Sequence, residues 1–143
     1  MDIVAVFDVS AAGMNLERQR LEVSAANLAN ANTTRGPDGV MFKPLRLVAH
    51  PAAPFTDLLN GLMGANGLPR PAEVEALDLP PREVYEPGHP DADERGFVAY
   101  PAVNPVSEMV QLIAITRAYE ANVRAFNAAK SMALKALEIG SER

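Results

Sequence analysis

Residues 104–139 read NPVSEMVQLIAITRAYEANVRAFNAAKSMALKALEI, and no proline interrupts them after Pro105. Leu112, Tyr119, Phe126 and Ala133 recur every seven residues. Ile115, Ala129 and Ala136 hold the companion positions, with Asn122 among them. That spacing places them on one face of a helix. Asn104 is suited to cap the helix and Pro105 to its first position, where a missing N–H costs nothing. Gly140 suits a C-terminal cap. The spacing predicts a helix over 105–139.

Working outward, proline divides the chain. All twelve prolines lie between Pro37 and Pro105, with seven of the nine glycines between Gly36 and Gly96. Proline inside a helix costs about 3 kcal/mol, so both ends are free to be long helices and the middle is not. In the first arm Phe7, Met14, Leu21 and Leu28 recur every seven residues, with Ala11 and Ala25 beside them. Val9, Ala12, Leu16, Val23 and Ala26 form a second stripe. The expected helix covers about 3–31 and stops at Asn30, Asn32, Thr33, Thr34 and Gly36-Pro37. Apolar residues wrap more than one face of each arm, and alanine is abundant on both. One reading is an antiparallel hairpin that buries its own core. The other is a two-helix coiled coil that also packs against neighbouring subunits.

The middle reads as short strands and turns. Pro37-Asp38-Gly39 is a turn signal. Residues 40–49, 73–79, 82–86 and 97–100 read as strands, with Pro44 marking the first as an edge. Residues 51–71 read as a loop with turn dipeptides Asn60-Gly61 and Asn66-Gly67, and a short helical turn over 56–63 is an option. The fold class is therefore α+β: long terminal helices paired as a coiled coil around a small, irregular antiparallel β middle. The divisions fall at 1–36, 37–104 and 105–143.

Composition excludes several functions. The net charge is −5, and the excess acid sits in the middle, which carries ten acidic against five basic residues. With no basic patch, nucleic acid is not an expected partner. Cysteine is absent, which removes disulfides, thiolate chemistry and the common zinc sites. No stretch of 18 apolar residues is present, and the first seven residues hold Asp2 and no base, so neither a membrane span nor a secretory signal is expected. His89, Asp91, Asp93 and Glu94 form the densest cluster of ligand-type residues. It matches no calcium-loop or zinc-helix pattern and reads as a solvated turn. His50, before Pro51, reads as a surface or packing residue. No phosphate loop, nucleophile elbow or dinucleotide turn occurs, so no catalytic, cofactor or metal site is expected. A metal-dependent hydrolase centred on His89 and Asp91 is the enzyme alternative.

Residues 24–34, SAANLANANTT, resemble the N-terminal motif of bacterial flagellar rod and hook proteins. Residues 108–122, EMVQLIAITRAYEAN, resemble the C-terminal motif of that family. Residues 84–110, VYEPGHPDADERGFVAYPAVNPVSEMV, are similar to its proximal-rod members, and the small size agrees. Residues 51–81 match no family pattern, and Met41-Phe42-Lys43-Pro44 departs from the aromatic-basic pair expected there. The resemblance implies a structural subunit without chemistry. Such subunits stack helically into the hollow drive shaft of the basal body, with their terminal helices at the core and their middles outside. It implies passage through the flagellar type III export apparatus without a cleaved signal, a periplasmic destination, and partners among copies of itself and other rod proteins. A secreted coiled-coil binding protein that does not polymerise is the alternative.

The motif residues also make physical sense as contacts. Asn27, Asn30 and Asn32 end the first helix and can bind backbone in a neighbour. Asn122, at an apolar heptad position, is the kind of polar residue that sets register. Tyr119 offers a ring and one hydroxyl. With Met109, Leu112 and Phe126 they make the expected intersubunit set. Leu112, Tyr119 and Phe126 are expected to form one buried seam.

Overall fold

A computed structural model describes residues 3–36, 38–48 and 72–141. The loop over 51–71, with its turn dipeptides and the helical turn at 56–63, lies outside the described residues, as does His50. Two long helices and four short strands follow in the order α1 (Ile3–Asn30), β1 (Leu45–Val48), β2 (Glu73–Ala76), β3 (Arg82–Tyr85), β4 (Phe97–Tyr100) and α2 (Pro105–Ser141).

Each helix is bounded by the residues the sequence offers for it. The Asn104 side-chain oxygen accepts from the N–H groups of Val106 at 3.0 Å and Ser107 at 3.2 Å, satisfying two donors that a helix start leaves unpaired. At the end of α1 the Asn30 amide turns back onto the Ala26 carbonyl at 2.8 Å. The chain then tightens, with Ala31 N–H on Leu28 O and Thr33 N–H on Asn30 O. Gly140 does not cap α2. The helix runs through it to Ser141, because glycine tolerates helical geometry as well as the left-handed cap.

The helices run antiparallel. Phe7 packs against Phe126 with ring centroids 4.9 Å apart and the planes tilted by 50°, Gly13 lies against Asn122, and Ser24 and Asn27 both meet Glu108. On this stagger about ten residues of α2 project past Ile3, roughly 15 Å of helix. No described helix is long and apolar enough to cross a membrane.

The β region is two separate ribbons rather than one element. β1 pairs with β2 antiparallel, Leu45 opposite Ala76. β3 pairs with β4 antiparallel, Arg82 opposite Tyr100 and Tyr85 opposite Phe97. The first strand begins at Leu45, not residue 40, because Gly36, Gly39 and Val40 are bonded to one another in a turn. Gly39 has φ +74° and its N–H bonds Gly36 O, while Gly36 N–H bonds Val40 O. Pro44 then lends only its carbonyl, to Leu77 N–H at 2.7 Å. The second strand likewise stops at Ala76 and the third at Tyr85. β4 alternates as a half-buried strand should. Phe97 and Ala99 face out, while Val98 and Tyr100 face in. Val98, Tyr100, Pro101 and Val103, with Ala31 just past α1, make up much of the small buried core.

Candidate functional site

The seam between the helices is not the one the heptads announce. Among the described side chains of α1 the buried ones are Ser10, Glu17, Ser24 and Asn27, continued by Ala31. Ser10, Glu17, Ser24 and Ala31 are themselves spaced by seven, so the period was legible and the phase was not. Of the apolar heptad, Phe7, Met14 and Leu28 are half-buried and Leu21 is exposed. On α2 the buried positions are the companion residues Ile115 and Ala129, with Asn122 half-buried midway between them. Leu112 and Phe126 are half-buried, but Tyr119 is 41% exposed and does not join a buried seam.

Small and polar side chains thus make up the fully buried line of α1, with Phe7 against Phe126 and Ile115 as larger apolar contacts, and many large apolar side chains of α2 are left outside. Val106, Met109, Val110 and Ile113 are each more than half exposed. Their spacing of i, i+3, i+4, i+7 is one helical face, roughly opposite the face that bears Glu108, Leu112 and Ile115. Met132, Leu134, Leu137 and Ile139 are also each more than half exposed, Met132 with Ile139 on one side of the projecting end of α2 and Leu134 with Leu137 on the other. Apolar residues on opposite sides of a helix cannot all be covered by one packed partner. So wide an apolar surface on a chain this small marks an interaction site.

The polar seam has its own organisation. The Asn27 amide is paired both ways with one backbone residue: Nδ2 donates to Leu45 O at 2.9 Å and Oδ1 accepts from Leu45 N–H at 2.8 Å. Nδ2 also reaches Glu108 Oε1 at 3.2 Å, and the Ser24 hydroxyl donates to the other Glu108 oxygen. One asparagine therefore ties the start of β1 to α1, and one glutamate ties α1 to the first turn of α2. Glu17 is buried with its carboxylate on Arg20 at 3.2 Å. Neither Ser24 nor Glu108 stood out in the sequence, since their pairing spans 84 residues. Asn32 is exposed, and Asn30 is half-buried on its own helix.

The turn over 86–97 is built rather than merely solvated. The Asp93 carboxylate accepts from Phe97 N–H at 2.8 Å and Arg95 N–H at 2.9 Å, and meets Arg95 Nε at 3.1 Å. The Phe97 N–H, and after it Arg95, hold this carboxyl below its usual value. Asp91 accepts from the Thr34 hydroxyl at 2.7 Å and lies 3.4 Å from Arg35, docking the turn on the exit of α1. His89 sits with its ring 6.2 Å from Tyr100, and its Nδ1 accepts the Asp91 N–H. Tyr100 donates to Glu86, which pushes the phenol pKa up because ionisation would lose that bond. Asp91, Asp93 and His89 are engaged in folding the turn, and among the described residues no group of three or more His, Asp or Glu is placed to hold a metal.

Two family models match the ends of the chain. The model described as flagella basal body rod protein matches residues 7–37. That described as flagellar basal body rod FlgEFG protein C-terminal matches residues 94–139. Curated relatives match almost the whole chain. The flagellar basal-body rod protein FlgC of Escherichia coli O157:H7 is 38% identical over 141 residues, 98% of this chain and 99% of that protein. FlgC of Bacillus subtilis (strain 168) is 37% identical over 142 residues, 93% of this chain and 95% of that protein. FlgC of Aquifex aeolicus (strain VF5) is 36% identical over 138 residues, 92% of each. With both ends matched by flagellar rod family models and nearly the whole chain matched by these relatives, the chain belongs to the FlgC family of flagellar basal-body rod proteins.

Proposed function

We propose that this chain is a structural subunit of the proximal rod of the flagellum, assembling helically through its terminal helices into a hollow torque-transmitting shaft. The observation that carries this reading is the outward apolar surface of α2, from Val106 to Ile139, which the chain's own α1 does not cover. Burying apolar surface is worth about 25 cal/mol per Å², so these side chains favour helices supplied by neighbours. Exposed Met109, Tyr119 and Asn32 are the contacts to other subunits. Leu112, Asn122 and Phe126 border that interface from the hairpin. Asn27 and Asn30 act on it indirectly, by fixing where α1 ends. The subunit carries out no reaction and takes no cofactor. Its partners are copies of itself, other rod proteins and the flagellar type III export apparatus, which delivers it to the periplasm without a cleaved signal.

The test is to express the chain, tagged within residues 51–71, in a motile host whose own copy is deleted, and to purify hook–basal bodies. Recovery of the chain in the rod with restored swimming is expected. Restored swimming with the chain absent from basal bodies refutes the reading, and so does secretion of a soluble product with no rod. That second outcome belongs to a non-polymerising binding protein.

A further inference from the structure

Gly13 is the one glycine between Ile3 and Asn30, and it interrupts the strong part of a helix. Nothing in α1 itself requires it, since glycine in a helix interior is less stable than alanine. The reason lies across the seam. A Cβ at residue 13 would stand 2.9 Å from Asn122 Nδ2 and 3.2 Å from both Cγ and Oδ1. Real Cβ atoms do not approach other atoms as closely as the first of these. Gly13 also sits between buried Ser10 and Glu17, a turn on either side, and Asn122 sits midway between buried Ile115 and Ala129. The two seam lines meet at this pair.

The geometry points to a size-matched lock: the missing side chain of Gly13 is a socket, and the Asn122 side chain fills it, holding the helices close at one level of the hairpin. Because the rest of the α1 seam is small or polar, apolar packing alone defines the stagger weakly there. The Gly13–Asn122 insertion adds a shape-specific constraint to those from Glu108 on Ser24 and Asn27 and from Phe7 on Phe126. The stagger in turn sets how far α2 projects past Ile3, and in what phase it presents Met132 to Ile139. This inference stands on the hairpin geometry and is independent of whether the chain enters a rod.

Alanine supplies the test through a change of sign. At an uncrowded helical position Gly→Ala raises the unfolding midpoint. Gly13→Ala is expected to lower it by about 2–4 °C in the otherwise unchanged chain, and to raise it when made on an Asn122→Ala background, where the socket is empty. Any other combination of signs overturns the lock. If Gly13→Ala alone does not fold, that counts as the lowering, and the Asn122→Ala pair still decides. The natural absence of cysteine gives a second readout. Spin labels on cysteines replacing exposed Asn15 and Glu120 report helix separation near this level. A longer distance in Gly13→Ala, restored in Gly13→Ala with Asn122→Ala, is expected. Equal distances in the unchanged chain and in Gly13→Ala overturn it.

Discussion

Asn27 does what no neighbour of its type does: its amide stands in for a strand, pairing both backbone groups of Leu45. Asn27→Ala leaves that N–H and C=O without their partner in a half-buried place, where the cost falls short of the roughly 1–3 kcal/mol of a fully buried unpaired group. The expected outcome is rapid hydrogen exchange at Leu45 N–H with the helices otherwise intact. Slow exchange there would mean that β1 is held by β2 alone. Asp93 makes a second prediction at this scale. Its carboxyl is held below the usual value, about 3.9, by the Phe97 N–H and Arg95. A depressed pKa contributes stability that is present above the unfolded value and lost as pH falls through the folded one. The turn is therefore expected to hold at neutral pH and loosen below about pH 4. Asp93→Asn flattens that acid limb. NMR signals of Phe97 and Arg95 followed from pH 6 to 2 check it, and an acid limb unchanged in Asp93→Asn would assign the loosening to another carboxylate.

Among the elements, the helices divide their work between two faces of α2. The inner one packs on α1 with modest apolar burial, which sets the scale for Phe126. A fully buried phenylalanine loses about 3–5 kcal/mol on truncation to alanine. Phe126 is half-buried but packed against Phe7, so Phe126→Ala is expected to cost about 2 kcal/mol in chemical denaturation, with swimming reduced. A cost near zero would remove the ring pair from the hairpin's support. The outer face behaves in the opposite way. Met109→Asp with Ile113→Asp touches exposed positions, so the isolated chain should change by no more than about 0.5 kcal/mol, while charged groups placed in an intersubunit contact should stop assembly. Unchanged melting with lost swimming is the expected pair of results. Full swimming would show that this face stays in water.

In the whole molecule, the projecting end of α2 has no counterpart helix among the described residues. Its amides beyond about residue 130 are expected to exchange early in the isolated subunit and late in purified basal bodies, since segments that gain their burial on binding order only then. Strong protection in a proven monomer would count against this. The sequence by itself determined the two long helices, their caps at Asn104 and Asn30, the proline-marked middle, the four strand locations and the family. Each rests on interactions within a few residues along the chain: hydrogen-bond capping, fixed proline φ, side-chain periodicity. Only the tertiary structure decided which phase of each heptad is buried. Leu112, Tyr119 and Phe126 read as one buried seam, yet Tyr119 is exposed, and on α1 the fully buried line is Ser10, Glu17, Ser24 and then Ala31, with Phe7, Met14 and Leu28 half-buried. Periodicity fixes that a face exists but not which face meets α2, because that choice depends on partners such as Glu108 and Asn122, about eighty to a hundred residues away. The same reason hid the docking of Asp91 on Thr34 and Arg35 and split the β middle into two ribbons: strand pairing and ion pairing join residues that only folding brings together.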